Sequence, residues 1–448
     1  GSTNVVELTA AGGSLTQLAR VSLPIRPGEA HLVASALATD DAPLTQLAAH
    51  PHGALITSAD LLEARRLIGD TGDGVVFIVG RPNAAESAEV IEAAIRTFAI
   101  RFPKAKFLPA LRRGNVMGAL DMGLAPGRGP ARSSSGTRGR SALEQLQALA
   151  NGSQKVVMSL GGDILTNVAD TTLATAALTT AKVIAVTGHG GASLQYADVV
   201  LPATVAHERY GTVTNIEGRV SAVAPKVTPP GAAWPDIAIA AELAEEFGQH
   251  LGLSSPEDAA AAISTAGYPA STALFAAEVE GVVVGRENDL TPRRALDPMA
   301  FPGVRSADLV GLAPRAGDVH AVVAEPGSGS TVRDLSVLAA REVVLPSPDA
   351  YSLRLVVNRS IYDHGSAVAA TPALSALVPA LTVRVNPSDL TRFGAKDGDT
   401  VRLTSPRGTA DVVVTEDASV PRGAAVIPFG VGSTTDSFAR WIVDSSLA

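Results

Sequence analysis

The first third of the chain alternates continuous apolar runs with amphipathic stretches. Apolar runs at 54–57 and 74–79 predict short buried strands. After them, apolar residues recur at helical spacing at Val90, Ile91, Ala94, Ile95 and Phe98. Strand, helix and strand in this order predict parallel pairing through a right-handed crossover.

The same alternation resumes after Lys155. Apolar runs predict strands at 156–160, 183–186 and 197–201, and a helix is predicted over 171–180. Pro235 and Asp236 mark the start of a further helix. Its predicted inward face consists of Ile237, Ala240, Ala241, Leu243, Ala244 and Phe247. This part of the chain therefore predicts a second parallel sheet covered by helices.

The last quarter of the chain has a different pattern, with short runs rich in β-branched residues and separated by turns. The predicted strands are 353–357, 382–385, 400–404, 409–415 and 424–427. The residues from Ser405 to Gly408 have turn chemistry and predict a hairpin. Several short strands with few helices predict a small β-barrel.

Together these patterns predict an α/β fold in three parts. Residues 1–150 form an α/β domain that ends in an Arg/Gly/Ser-rich loop, residues 151–335 a second α/β domain, and residues 336–448 a β-barrel. The loop, at 124–141, contains Arg128, Arg132, Arg138 and Arg140. It is interpreted as a solvated loop, with docking of a partner as the alternative. No periodicity places residues 281–334.

Composition narrows the function classes. The chain is 46% hydrophobic and 18% charged with a net charge of −8, which indicates a globular protein and disfavours a nucleic-acid binder. It has no cysteine, so it cannot form a disulfide, a Cys-ligated zinc or iron–sulfur site, or a Cys nucleophile. Two uncharged stretches, 259–277 and 365–383, are interrupted by proline and do not predict membrane spans. The first residues do not resemble a signal peptide.

Candidate chemistry is sparse. Gly161, Gly162 and Asp163 follow a predicted parallel strand, where ligands bind in open α/β sheets, although a plain tight turn is the favoured interpretation. His50 and His52 are interpreted as ordinary loop histidines rather than metal ligands. The common phosphate-loop, dinucleotide and nucleophile-elbow motifs do not occur in the sequence.

One segment has a pattern that a strand alone does not explain. The run Ala197-Asp198-Val199-Val200-Leu201-Pro202 is followed by Glu208, Gly211, Thr212, Asn215, Glu217, Gly218 and Arg219. With 156–163 and 384–408, it resembles the molybdopterin oxidoreductase family. Segments 26–29 and 112–123 further resemble the large iron–sulfur subunit of NADH-quinone oxidoreductase, respiratory complex I, of actinobacterial type.

This resemblance implies parallel-sheet domains like those of molybdopterin oxidoreductases, followed by a C-terminal double-psi β-barrel. It implies a structural portion of the complex I peripheral arm, in which NADH-to-quinone electron transfer belongs to the whole complex and this chain is not itself catalytic. No cofactor, metal or catalytic residue is expected in the chain. Iron–sulfur clusters are expected in an N-terminal part that would precede residue 1. The vestigial pterin-pocket positions are Gly161, Gly162, Asp163, Asn215, Glu217 and Arg219.

The expected partners are other peripheral-arm subunits, without nucleic acid or a direct membrane span, at the cytoplasmic face of the cell membrane. Glu217 and Arg219 are expected to form charge-assisted hydrogen bonds that fix their loop. Two alternatives remain open. One is an active molybdopterin or tungstopterin oxidoreductase of formate dehydrogenase or nitrate reductase type, and the other is a nucleotide-binding or assembly protein.

Overall fold

The computed structural model describes residues 3–38, 42–70, 74–80, 88–111, 114–130, 137–168, 170–216, 219–265, 279–283, 290–292, 352–358, 360–405 and 408–431. The strands are β1 (Val6–Thr9), β2 (Val21–Pro24), β3 (Val76–Val79), β4 (Lys106–Pro109), β5 (Val156–Leu160), β6 (Lys182–Thr187), β7 (Val199–Pro202), β8 (Gly211–Thr214), β9 (Arg219–Val223), β10 (Val279–Val283), β11 (Leu290–Pro292), β12 (Arg354–Asn358), β13 (Thr382–Val385), β14 (Thr400–Ser405), β15 (Gly408–Glu416) and β16 (Ala424–Pro428).

The α-helices are α1 (Ala30–Ala38), α2 (Ala42–Ala48), α3 (Ser58–Asp70), α4 (Ala88–Arg101), α5 (Val116–Asp121), α6 (Ala142–Ala150), α7 (Ile164–Asn167), α8 (Thr171–Thr180), α9 (Asp236–Glu246), α10 (Pro256–Thr265), α11 (Ser366–Ala369), α12 (Pro372–Ser375) and α13 (Pro387–Phe393). A short 3-10 helix spans Ala192–Tyr196.

Two parallel strand pairs lie in the first part of the chain. β1 pairs with β2, and β3 pairs with β4 through α4. The predicted strand at 54–57 is wrong, because Thr57 caps a helix: its Oγ1 accepts a hydrogen bond from the Asp60 backbone N–H at 3.1 Å. Thr57, which precedes the acidic first turn of α3, therefore marks the start of a helix and not the end of a strand.

The middle of the chain forms the predicted parallel sheet, in the order β5-β6-β7. On one face, α6 and α8 pack through Leu149, Ala177 and Leu178. On the other face, Ile239 of α9 packs against Val186. Phe247, predicted to face inward, is 81% exposed, because α9 ends at Glu246 and the helical spacing does not continue beyond it.

The C-terminal strands form one mixed sheet, in the order β12-β16-β13-β15-β14. The predicted hairpin is confirmed, since β14 and β15 pair antiparallel with Ser405 opposite Gly408. The predicted β structure is therefore present, and the described strands form a single sheet that contains both parallel and antiparallel pairs.

The two ends of the described chain share one core. Leu23, Val33 and Leu61 from the first part pack in the same cluster as Val356 and Val426 from the C-terminal sheet. In contrast, the clusters around β5, β6 and β7 consist of residues between 146 and 243. The fold thus consists of a body made from both ends of the chain and a middle unit with cores of its own.

The arginine-rich loop contacts its own chain. Arg138 Nη1 lies 3.0 Å from Glu144 Oε1, and Arg140 Nη1 donates to Gln154 Oε1 at 3.1 Å. Arg132 lies outside the described residues. Because both contacts are exposed, they are consistent with the solvated-loop interpretation. In the part of the chain that the structure describes, no helix has the length and apolar character needed to cross a membrane.

Replacing Ser141 by alanine should destabilise the protein by about 1 kcal/mol, because Ser141 and Glu144 form a capping box at the start of α6. The backbone N–H of Ser141, together with Arg138, lowers the pKa of Glu144 to about 2. In Ser141→Ala the pKa of Glu144 should rise, because the hydrogen bond between the Ser141 side chain and the Glu144 carboxylate, which helps to lower this pKa, is lost. Urea unfolding and an NMR titration of Glu144 would measure both effects, and an unchanged urea midpoint would contradict the role of the cap.

Candidate functional site

A glycine turn lies at the carboxyl end of the parallel sheet. Gly161 follows β5 directly and has φ +68°, a conformation that favours glycine, and its backbone N–H donates to Val186 O at 2.7 Å. A Cβ built on Gly162 would have no other atom within 4 Å. The turn therefore leaves open space beside the backbone at the sheet edge where α/β proteins bind ligands.

Asp163 holds this turn against a second loop. Its side chain accepts hydrogen bonds from the backbone N–H groups of Ala192 at 2.8 Å and Ser193 at 3.1 Å, and from the Ser193 hydroxyl. The residue is only 7% exposed. Gly191 fits beside it because a Cβ there would lie 2.6 Å from Asp163 Oδ2. Asp163 is thus a buried brace between two loops.

A small cavity of about 20 Å³ lies between these loops. Ser159, Thr187, His189 and Ser193 line it from the sheet side, together with apolar residues that make up most of its surface. Ser366, at the start of α11, lines it from the C-terminal domain. The cavity is therefore a narrow crevice between the middle unit and the C-terminal domain, with room for about one water molecule.

Asp198, near the start of the segment 197–219 that supports the family resemblance, lies at the opposite end of the sheet. It accepts hydrogen bonds from Lys182 Nζ at 2.7 Å and from the Val183 backbone N–H at 2.8 Å. The hydrogen bond from Lys182 lowers the pKa of Asp198. Because parallel strands present the crevice only at their carboxyl ends, Asp198 has a structural role in strand pairing.

Most of the other polar residues of segment 197–219 form hydrogen bonds within their own loops. Glu208 accepts a hydrogen bond from the Val205 backbone N–H at 2.9 Å. Asn215 and Arg219 close the β8–β9 turn, since the Arg219 N–H donates to Asn215 Oδ1 and the Asn215 N–H donates to Arg219 O, both at 2.9 Å. Glu217 and Gly218 lie outside the described residues, and so does the predicted Glu217–Arg219 contact.

Of the six predicted pocket positions, the structure thus brings Gly161, Gly162 and Asp163 together at the crevice and places Asn215 and Arg219 at the hairpin. Sequence reasoning missed Ser366 and His189, which line the crevice. His189 belongs to the glycine turn after β6 and Ser366 to a stretch first considered only as a membrane span. No local motif marks Ser366, which follows the end of β12 by eight residues.

Asn115 is a second residue that the sequence did not single out. It has φ +61°, which is unusual for a residue other than glycine. Its Oδ1 accepts a hydrogen bond from the Thr214 backbone N–H at 2.8 Å, across 99 residues. Two segments that support the resemblance, 112–123 and 197–219, therefore meet at this contact.

A buried polar cluster joins the first part of the chain to the C-terminal domain. Arg26 is 1% exposed, and its guanidinium donates to Glu29 Oε1, Gly53 O and Arg422 O at 2.7–2.9 Å. His52 Nδ1 lies 3.8 Å from Asp389 Oδ1. Among the described residues, the Nε2 atoms of both His50 and His52 are buried without a hydrogen-bond partner.

Stability should fall as the pH drops from 6.5 towards 4, partly through His50. Burial lowers the pKa of His50 to about 4, and the nearby positive charge of Arg26 acts in the same direction. The unfolded chain therefore binds this proton at a higher pH than the folded chain, so His50 opposes folding progressively below pH 6.5. Urea unfolding at pH 7 and pH 4.5 should show a smaller pH effect in His50→Gln than in the unaltered chain. An equal pH effect in both would contradict this assignment.

Comparison with known proteins identifies two regions of the chain that match known domains. Residues 34–246 match the molybdopterin oxidoreductase family, and residues 353–444 match the molybdopterin dinucleotide binding domain. The NADPH-Fe(3+) oxidoreductase alpha subunit of Geobacter sulfurreducens is 26% identical over 371 residues, which is 78% of this chain and 38% of that protein. The nitrate reductase of Klebsiella oxytoca is 26% identical over 65% of this chain and 33% of its own length.

An F420-dependent formate dehydrogenase 2 alpha subunit of Methanococcus maripaludis is 27% identical over 52% of this chain and 32% of its own length. The chain thus spans well under half the length of these relatives. The structure of acetylene hydratase from Pelobacter acetylenicus has the same fold, with a TM-score of 0.58 and 14% identity over 96% of this chain and 67% of that one.

The expectation that the chain has no cofactor is wrong, because both matched domains point to molybdopterin binding. The crevice chemistry fits such a group in part. Gly161 and Gly162 leave backbone exposed for close approach, and the hydroxyls of Ser159 and Ser366 can donate to phosphate oxygens. Thr204, just after β7, also has a buried hydroxyl without a partner among the described residues.

The two domain matches are consistent with the fold and with the glycine turn beside the crevice. The chain contains a region, residues 34–246, that matches the molybdopterin oxidoreductase family, followed by a region, residues 353–444, that matches the molybdopterin dinucleotide binding domain.

Proposed function

We propose that this chain is the molybdopterin-binding portion of a larger oxidoreductase of formate dehydrogenase or nitrate reductase type. The observation that supports this most directly is the crevice itself. The glycine turn of one matched domain and Ser366 of the other line the same cavity. A ligand that belongs to both domains would bind where the two meet.

The chain's own residues would position this group. The backbone at Gly162 allows a phosphate to approach closely, and Asp163 keeps the two loops at a fixed separation by its hydrogen bonds to Ala192 and Ser193. The side chains of Thr187 and His189 would line the bound group. When bound, molybdopterin supplies the redox chemistry through its metal.

The redox partners of such a site would lie outside this chain. It has no cysteine for an iron–sulfur cluster, and it spans 38% of the length of the NADPH-Fe(3+) oxidoreductase alpha subunit. Within the described ranges, no group of three or more His, Asp or Glu side chains is placed to hold a metal ion. The metal would therefore be carried by the pterin.

Pterin analysis tests this proposal. The chain, purified from a host that makes molybdopterin, should release about one equivalent or more of fluorescent oxidised pterin, with matching molybdenum or tungsten by elemental analysis. Gly162→Val should lose most of the pterin, because its side chain would fill open space at the turn. Gly139→Val is the matched control, since a Cβ there is also free of contacts but lies away from the crevice residues. A preparation without pterin would reject the proposal.

A second candidate assembly is the peripheral arm of a proton-pumping NADH-quinone oxidoreductase. The segments that resemble its large iron–sulfur subunit have defined structural places: Arg26 and Glu29 form a buried pair, and Asn115 holds β8. The partners would then be the other peripheral-arm subunits at the cell membrane. Affinity purification of the full-length subunit tests this, and co-purification of the flavin- and quinone-site subunits is expected. Isolation of a formate- or nitrate-reducing complex instead would reject it.

A further inference from the structure

The C-terminal domain is attached firmly to the first part of the chain. Arg26 Nε donates to Arg422 O at 2.7 Å, and His52 Nδ1 lies 3.8 Å from Asp389 Oδ1. A Cβ on Gly423 would lie 2.6 Å from His52 Cδ2, so the two parts are in close contact there. We call this junction the anchor. Because it is buried and continuous with the shared core, separating it would expose several polar groups and much apolar surface.

The C-terminal domain contacts the middle unit differently, across the crevice. Ser366 lines the crevice opposite Gly162 and Asp163. The loop before it is held within its own domain, because the His364 N–H donates to Gly430 O at 2.8 Å and the Gly365 N–H donates to Asp363 Oδ1 at 2.9 Å. The apolar side chain of Ile361 in this loop is 89% exposed.

The size of the crevice does not match the proposed ligand. The cavity measures about 20 Å³, whereas pockets for cofactors typically measure about 300–1,000 Å³. The open space at Gly162 suits the close approach of a phosphate-bearing ligand, but the separation of the two sides does not. The crevice must therefore widen before a pterin dinucleotide can occupy it.

We infer that the crevice is a gate, in which the middle unit, residues 141–246, and the Ser366 loop move apart while the anchor stays closed. This inference rests on the proposed molybdopterin function. The junction with a shared core and buried hydrogen bonds stays closed, and the contact between units with separate cores is the one that opens. The gate determines when the cofactor can enter and leave.

Distance measurements test the motion without any cofactor. The chain has no cysteine, so paired spin labels can be attached at chosen positions only. Gln195→Cys with Ala367→Cys spans the gate at exposed sites, and Gln46→Cys with Ser388→Cys spans the anchor at exposed sites. The gate pair should show a second population at longer distance, and the anchor pair a single narrow one. A single narrow distance for the gate pair, or equal broadening of both pairs, would overturn the inference.

A disulfide across the crevice tests the consequence for binding. Ser159→Cys and Ser366→Cys introduce near-isosteric thiols on opposite sides of the cavity. The probe is cofactor released by heat from a molybdopterin enzyme, with uptake read as pterin fluorescence after oxidation. The reduced protein should take up pterin, and the oxidised protein at least tenfold less.

The outcomes separate the gate from the proposed function. Equal uptake by the oxidised and reduced proteins would overturn the gate while supporting molybdopterin binding. No uptake by either the unaltered or the reduced chain would count against molybdopterin binding, and the spin-label distances would then decide the gate alone. If the disulfide fails to form, those distances likewise decide.

Discussion

Replacing Arg26 by methionine is expected to lower the free energy of unfolding by about 3–5 kcal/mol. The guanidinium is buried, and its loss leaves Glu29 without its ionic partner and the carbonyl oxygens of Gly53 and Arg422 without donors. Methionine keeps most of the side-chain volume, so the effect reports the lost hydrogen bonds rather than a cavity. Urea unfolding monitored by circular dichroism would measure it.

Arg402→Ala provides the control for this prediction. Arg402 also pairs with a carboxylate, since its Nε lies 2.7 Å from Asp411 Oδ1, but both side chains are exposed. Solvent screens such a pair, and the urea midpoint should change little. Equal effects of the two substitutions would show that burial of Arg26 does not matter to stability. In that case the junction between the first part and the C-terminal domain would be weaker than its geometry suggests.

Asp163→Ala is expected to cost about 2–4 kcal/mol, because it leaves the N–H groups of Ala192 and Ser193 and the Ser193 hydroxyl without their acceptor. Asp163→Asn should cost less, since the remaining carbonyl oxygen can still accept some of these bonds. The midpoint of urea unfolding measures both variants.

The matched control is Asp170→Ala, which removes an acid from the start of α8. Asp170 accepts a hydrogen bond from the Leu173 backbone N–H at 2.9 Å, so its loss should cost about 1 kcal/mol, as for other helix caps. If Asp163→Ala were no more harmful than Asp170→Ala, the two crevice loops would be held by other contacts. The proposed brace would then be incorrect.

The sequence predicted the parallel middle sheet best. Strand β5 and helix α8 occur at the predicted bounds, because long apolar runs and a helix flanked by turn residues leave few alternative structures. The predicted strand at 54–57 failed, since a threonine cap and an apolar strand end look alike in one sequence. The predicted inward position of Phe247 failed because periodicity does not show where a helix stops.

The candidate site was predicted only in part. The turn at Gly161 and Gly162 was predicted correctly, because glycines directly after an apolar strand favour a tight turn. Ser366 was missed, since it comes from a domain about 200 residues away and has no local motif. The expectation of no cofactor followed from the resemblance to the complex I subunit, and it was wrong because both matched domains point to molybdopterin binding. Cysteine ligands concern the metal and clusters, whereas the retained segments concern the pterin and its phosphates.

The hydrogen bond from Arg26 to Arg422 joins residues 396 positions apart. During synthesis on the ribosome, the first α/β segment must therefore wait for almost the whole chain before Val356 and Val426 can complete its interior. Contacts of such long sequence separation form slowly, and until then the apolar surface of α1 remains open to chaperones or to aggregation. A nascent chain that stalls before β16 should consequently be a substrate for degradation.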